Sequence, residues 1–153
     1  MKKTVYGGFT LIEVLIVIAL IAILAGILIA VINPGQQFAN ARNAQRQAHL
    51  NTIANGISAN IARNSGNFSC GTALPSSATN MSNDTAGGDY DIAPCLVPDY
   101  ISTMPFDPSA TGAAWVSTSS YDTQYTIYKD ATTSQIILAA PSAELSETIS
   151  VIR

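Results

Sequence analysis

The residues able to do chemistry in this chain are few, and only one stands where its environment makes it unusual. The single histidine, His49, has no cysteine or carboxylate at metal-ligand spacing and reads as a solvated helix residue. Asp84, Asp89, Asp91, Asp107, Asp122 and Asp130 are scattered through the second half without a dense D-x-D-x-D run closed by a glutamate. Turn formation accounts for them better than calcium does. Cys70 and Cys95 make either one disulfide or two free thiols, depending on compartment, and neither has an evident base to make it a nucleophile. These residues predict a protein that is not an enzyme and holds no metal or cofactor. The exception is Glu13, the only charge in residues 9–32. A carboxylate at the centre of a membrane span costs about 2.5 kcal/mol or more, and less near the interface. A buried charge is tolerable when paired, so Glu13 calls for a cation.

The element that carries Glu13 is the apolar run itself. Its 24 residues would make a helix of roughly 36 Å at 1.5 Å per residue, enough to cross a hydrocarbon core of about 30 Å. Lys2 and Lys3 precede the run and no basic cluster follows it directly, which places the N-terminus in the cytoplasm and the rest outside. Outside that membrane the two cysteines are expected to pair, closing a loop of 25 residues. Only 11% of the 153 residues are charged, well below an ordinary soluble domain, which leaves room for one modest domain beyond an anchor. A net charge of −3 with no overall basic excess argues against a nucleic-acid binder. Arg42, Arg46 and Arg63 are the residues that could touch DNA, although solubilising a helix flank or pairing between subunits explains them better.

An ordinary secretory signal has an apolar core of about 7–15 residues, shorter than this run, and no A-x-A-like site falls inside it. A plain tether accounts for the length but not for Glu13. The stretch Gly7-Gly8-Phe9-Thr10-Leu11-Ile12-Glu13-Val14, behind a short basic leader and ahead of the apolar span, resembles the processing site of the type IV pilin superfamily. The resemblance implies cleavage between Gly8 and Phe9 by a prepilin peptidase and N-methyltransferase, with Phe9 as the methylated mature N-terminus. The glycine leaves the backbone open to a membrane protease. Phe9 and Glu13 become the assembly residues, the freed α-amino group of one subunit pairing with Glu13 of the next. The implied product is a homo-oligomeric filament built from the bilayer with an assembly ATPase and an inner-membrane platform protein. The chain is then a structural subunit of a type IV pilus or pilus-like filament at the cell surface or in the periplasm. A pseudopilin of a type II secretion or DNA-uptake system remains open, and a tethered binding module is the remaining alternative.

The remaining sequence divides into a leader (residues 1–8), a transmembrane or filament-core helix (9–32), an amphipathic half of the helix (33–64) and a globular loop-and-sheet domain (65–153). Pro34-Gly35 is expected to break the helical pattern. Beyond it Leu50, Ile53, Ala54, Ile57 and Ile61 form one apolar stripe that should pack on a sheet, ending near Asn64-Ser65-Gly66. Residues 65–88 are rich in Ser, Thr, Asn and Gly and read as a surface loop, with three N-x-[ST] triplets beginning at Asn67, Asn80 and Asn83. A helical turn is expected over 97–101 and a rigid bend over 104–108. Strands are expected over 125–128, 135–139 and 148–152, with Trp115 and Val116 at an edge. The fold class is α+β: a long N-terminal helix on a small antiparallel sheet of three or four strands, with one disulfide, similar in layout to the pilin fold.

Overall fold

The computed structural model describes residues 7–31 and 33–153; Lys2, Lys3, most of the leader and Ile32 lie outside the described residues. The chain divides into two compact units, Met1–Gln37 and Phe38–Arg153. In the first, α1 runs Leu11–Val31 without a proline or charge after Glu13. Its many Ile and Val residues are mediocre helix formers in water, but inside a bilayer only a helix satisfies the backbone of a single span. Pro34-Gly35 opens a helix instead of only breaking one. Pro34 is the first residue of α2 (Pro34–Arg63), where a missing amide costs nothing. The Asn33 side-chain oxygen accepts from the Gln36 amide at 3.3 Å.

In the second unit Leu50, Ile53, Ala54 and Ile57 of α2 have no exposed surface, and Ile61 packs at their margin. They share one core with Tyr125, Ile127, Leu138 and Val151 of the sheet, so the stripe is buried as its spacing requires. Gly56 lies in the same face because a side chain there would come within 3.2 Å of Ile101. The helix closes where expected: Ser65 and Gly66 take positive φ of 56° and 88°, and the Gly66 amide donates to the Ile61 carbonyl at 3.0 Å.

The sheet has five strands rather than three or four: β1 (Thr79–Ser82), β2 (Ala114–Ser117), β3 (Ser120–Lys129), β4 (Ile136–Ala139) and β5 (Ser150–Ile152). All pairings are antiparallel, in the order β1-β3-β4-β5. β3 is the centre. Tyr121, Thr123, Tyr125 and Ile127 alternate into the core, and its other face carries Asp122, Gln124, Thr126 and Tyr128. Thr126 lies between Asn80 and Ala139, and Asp122 lies between Ser82 and Ala114, so β2 and β4 occupy the same edge of β3 in succession.

Two expectations are corrected. The segment 65–88 is not all surface loop, because β1 lies within it with Met81 and Ser82 buried, followed by a 3-10 turn at Thr85–Gly87. Thr79-Asn80-Met81-Ser82 lacks the β-branched run that marks a strand, and polar side-chain bonds hold it instead. The helical turn expected at 97–101 comes one turn earlier, as α3 (Ala93–Leu96) with Pro94 in its first turn. The chain leaves α3 through a turn closed by the Tyr100 amide on the Leu96 carbonyl at 2.9 Å.

Cys70 and Cys95 form the disulfide, with Cα atoms 5.2 Å apart. Buried Asn60 supports both sides of the bridge. Its amide donates to the Ser69 and Cys95 carbonyls at 3.0 and 3.1 Å, and its oxygen accepts from the Ser69 amide at 2.8 Å. A bridge spanning 25 residues restricts the unfolded chain, so Cys70→Ser with Cys95→Ser should lower unfolding free energy by about 3–4 kcal/mol. Denaturant unfolding of the detergent-solubilised chain checks this.

Candidate functional site

The first turn of α1 gathers the residues singled out near the N-terminus. The Thr10 hydroxyl accepts from the Glu13 amide at 3.2 Å, so Thr10 caps the helix and Glu13 stands three residues into it. Thr10-Leu11-Ile12-Glu13 has the T-x-x-E spacing of a capping box, a signal of this helix start that is present in the sequence. A carboxylate in this turn also faces the positive end of the helix dipole. Phe9, Glu13, Val14 and Val17 line one shallow hollow.

The rest of α1 offers no chemistry and much bare surface. Every large apolar side chain from Phe9 to Ile29 is roughly half exposed or more, from 49% at Val17 to 84% at Phe9. The stretch Leu11–Ile29 is long and apolar enough to cross a membrane. Ala19, Ala22 and Gly26 repeat at i, i+3 and i+7, and nothing lies within 4 Å of where a Gly26 side chain would be, so another backbone can come close there. Such a helix needs either lipid or like helices around it.

The charged residues of α2 have a different task. Arg46 has no exposed surface, and all five of its N–H donors are used. Nε and one Nη hold the Asp107 carboxylate at 2.7 and 3.0 Å, Ser109 Oγ accepts at 2.8 Å, Asn43 Oδ1 at 2.8 Å and Glu144 Oε2 at 3.0 Å. Arg42 grips the same Glu144 with two bonds of 2.6 Å. The cluster pins α2 to the bend at 104–108 and to the loop between β4 and β5. Asp107 also accepts from the Ser109 and Ala110 amides, at 2.9 and 2.8 Å. Arg42 and Arg46 are therefore committed to carboxylates and are not available to DNA; Arg63 is exposed. Sequence reasoning missed this cluster because its partners lie 61 and 98 residues away.

The other candidates are likewise occupied. His49 is half-buried and its Nδ1 meets the Tyr125 hydroxyl at 2.9 Å, so it is not the solvated residue expected. Burial lowers its pKa. Tyr121 donates to Asp91 at 2.8 Å and accepts from the Ile92 and Ala93 amides. Asp89 and Asp122 accept from the Asn80 amide at 2.9 and 3.0 Å, Asp84 caps the 3-10 turn, and Asp130 accepts from the Thr132 and Thr133 amides. Among the described residues no three His, Cys, Asp or Glu side chains converge on a metal position. Of the N-x-[ST] asparagines, Asn80 and Asn83 spend side-chain atoms inside the domain, and Asn67 lies exposed.

The cluster makes stability depend on acid. Hydrogen bonds from Arg42 and then Arg46 outweigh burial and hold Glu144 at about 2. Burial raises Asp107, but Arg46 and the two amides outweigh it and keep that group below the usual carboxylate range. Both groups bind protons more weakly folded than unfolded, so their contribution is complete above about pH 5 and is lost as pH falls from there towards 2. Melting temperature followed from neutral pH downwards should be flat, then drop through that window. Asp107→Asn leaves buried Arg46 without its main counter-charge and should cost about 3–5 kcal/mol by denaturant unfolding at neutral pH.

Against known proteins, the prokaryotic N-terminal methylation motif matches residues 5–29, which take in Gly8, Phe9, Glu13 and most of α1; residues 30–153 lie outside the match. No curated protein and no solved structure gives a significant match. The match and the geometry agree on the same short stretch: a glycine and phenylalanine ahead of a capped helix, one carboxylate in its first turn, and an apolar surface uncovered on all sides. The chain carries the N-terminal signature of the type IV prepilins.

Proposed function

We propose that this chain is a structural subunit of a type IV pilus or pilus-like filament, made as a prepilin and polymerised through α1. The observation that carries the reading is the exposure of α1 on every face with Glu13 its only charge. Residues 1–8 are the leader, and cleavage after Gly8 by the prepilin peptidase frees the Phe9 α-amino group, which the same enzyme methylates. Residues 9–32 hold the subunit in the cytoplasmic membrane, with the domain outside, until an assembly ATPase and a platform protein move it into the filament. Transfer from lipid into a bundle of like helices gains little from hydrophobicity, so close packing at Ala19, Ala22 and Gly26 and ionic pairing at Glu13 supply the specificity. The free amino group has an ordinary pKa of about 8 and is a cation at neutral pH. It is the natural partner for Glu13 of an adjacent subunit.

The capping geometry sharpens the test, because the Thr10 hydroxyl accepts from the backbone amide of residue 13, which glutamine keeps. Glu13→Gln keeps helix initiation and removes only the charge. Co-expressed with its peptidase, the variant should be processed and inserted normally, leave the domain's melting temperature unchanged, and give at least about tenfold less sheared filament, as expected when one partner of a buried pair is lost. Filaments at wild-type yield would contradict ionic pairing. Intact-mass analysis of native filaments should show loss of residues 1–8 and one added methyl group; a chain still beginning at Met1 would contradict processing.

A further inference from the structure

Of the charges of the second unit outside the Arg46 cluster, and leaving aside exposed Asp99, four carboxylates lie towards the N-terminal end of β3 and the cations Lys129 and Arg153 towards the other. At its N-terminal end Asp122 and Asp89 share the Asn80 amide as donor, Asp89 also accepts from Ser82 Oγ at 2.7 Å, and the Asp84 amide donates to that same hydroxyl at 2.9 Å. Asp91 joins them through Tyr121. Among the described residues no lysine or arginine pairs with any of the four. At the other end, exposed Lys129 and Arg153 rim a hollow of about 270 Å³ floored by Ile61, Phe68, Leu74 and Ile136, with exposed Arg63 in the last turn of α2. Asp130 lies beside Lys129, with one oxygen on the Thr132 and Thr133 amides.

Asp122 and Lys129 are seven residues apart on one strand, about 23 Å at 3.3 Å per residue. That exceeds a Debye length of about 8–10 Å, so the two ends cannot neutralise each other within one copy. Two complementary patches at opposite ends of one domain make a head-to-tail contact, the kind that propagates instead of closing.

We propose that the hollow rimmed by Lys129 and Arg153 receives the acidic tip, Asp84 and Asp89, of a second copy of this chain. The proposal rests on the filament reading and adds to it a contact between domains that is independent of α1. Electrostatic complementarity of this sort sets register and excludes wrong neighbours, since like charges brought together repel.

With the leader removed, Lys129 is the only lysine in the chain, which makes it a specific reporter. Sheared wild-type filaments treated with a carbodiimide, which joins a lysine to a carboxylate in direct contact, should yield dimer-sized species whose cross-linked peptides join Lys129 to Asp84 or Asp89. Cross-links from Lys129 only to other carboxylates, or none between chains, would overturn the proposal while leaving the filament reading intact. A failure of the wild type to form filaments would overturn both. In parallel, Lys129→Glu with Arg153→Glu should lower filament yield about tenfold without loss of the processed membrane pool. Adding Asp84→Lys and Ala86→Lys should restore most of it. Wild-type yield from the first variant, or no rescue by the second pair, counts against the contact.

Discussion

A guanidinium with no exposed surface must be neutralised where it stands, and the arrangement of the second unit follows from how Arg46 meets that demand. Its five donors reach Asp107, Ser109, Asn43 and Glu144. α2 is thereby fixed to the bend before β2 and to the loop before β5, which between them flank the sheet segments that cover its apolar stripe. Buried ion pairs repay their desolvation only when geometry and hydrogen bonding are complete. Here they are: among the described residues no buried side-chain nitrogen or oxygen lacks a partner. The interaction specifies one placement of α2 against the loops, whereas hydrophobic burial alone would tolerate sliding.

α1 is the opposite case. The domain satisfies its own needs through a core, a disulfide and the Arg46 cluster, while α1 keeps large apolar side chains exposed and one carboxylate at its capped start. A protein normally avoids a continuous apolar surface of this extent unless something else is to cover it. On the proposed reading lipid would cover it before assembly and sister helices after, so that one segment would serve both as anchor and as filament core. Small residues on a helix that is otherwise Leu, Ile and Val apart from Glu13 would allow the second environment to compete with the first.

Legibility of the sequence tracked the range of the interactions. Glu13, the apolar run and the stripe from Leu50 to Ile61 are local patterns, and the fold class with its antiparallel sheet followed from them and from the β-branched runs. The disulfide followed from compartment. β1 was not legible because Asn80 and Ser82 are held by Asp89 and Asp122, partners seen only once the strand is paired. The role of Arg46 was hidden for the same reason, as a polar residue on a helix face looks solvent-exposed until distant loops are brought over it. The Thr10–Glu13 cap is local, and its T-x-x-E spacing is legible in the sequence.

The central claim, that α1 buries its apolar surface against other copies of itself, is open to direct measurement. A photoreactive phenylalanine analogue placed at Val17, the least exposed of the large apolar residues from Phe9 to Ile29, reports what covers the helix in native filaments. The account predicts chain-to-chain adducts in a ladder of oligomers, each mapping to α1 of a second subunit. Adducts to lipid alone, or to the domain of the same chain, would contradict it.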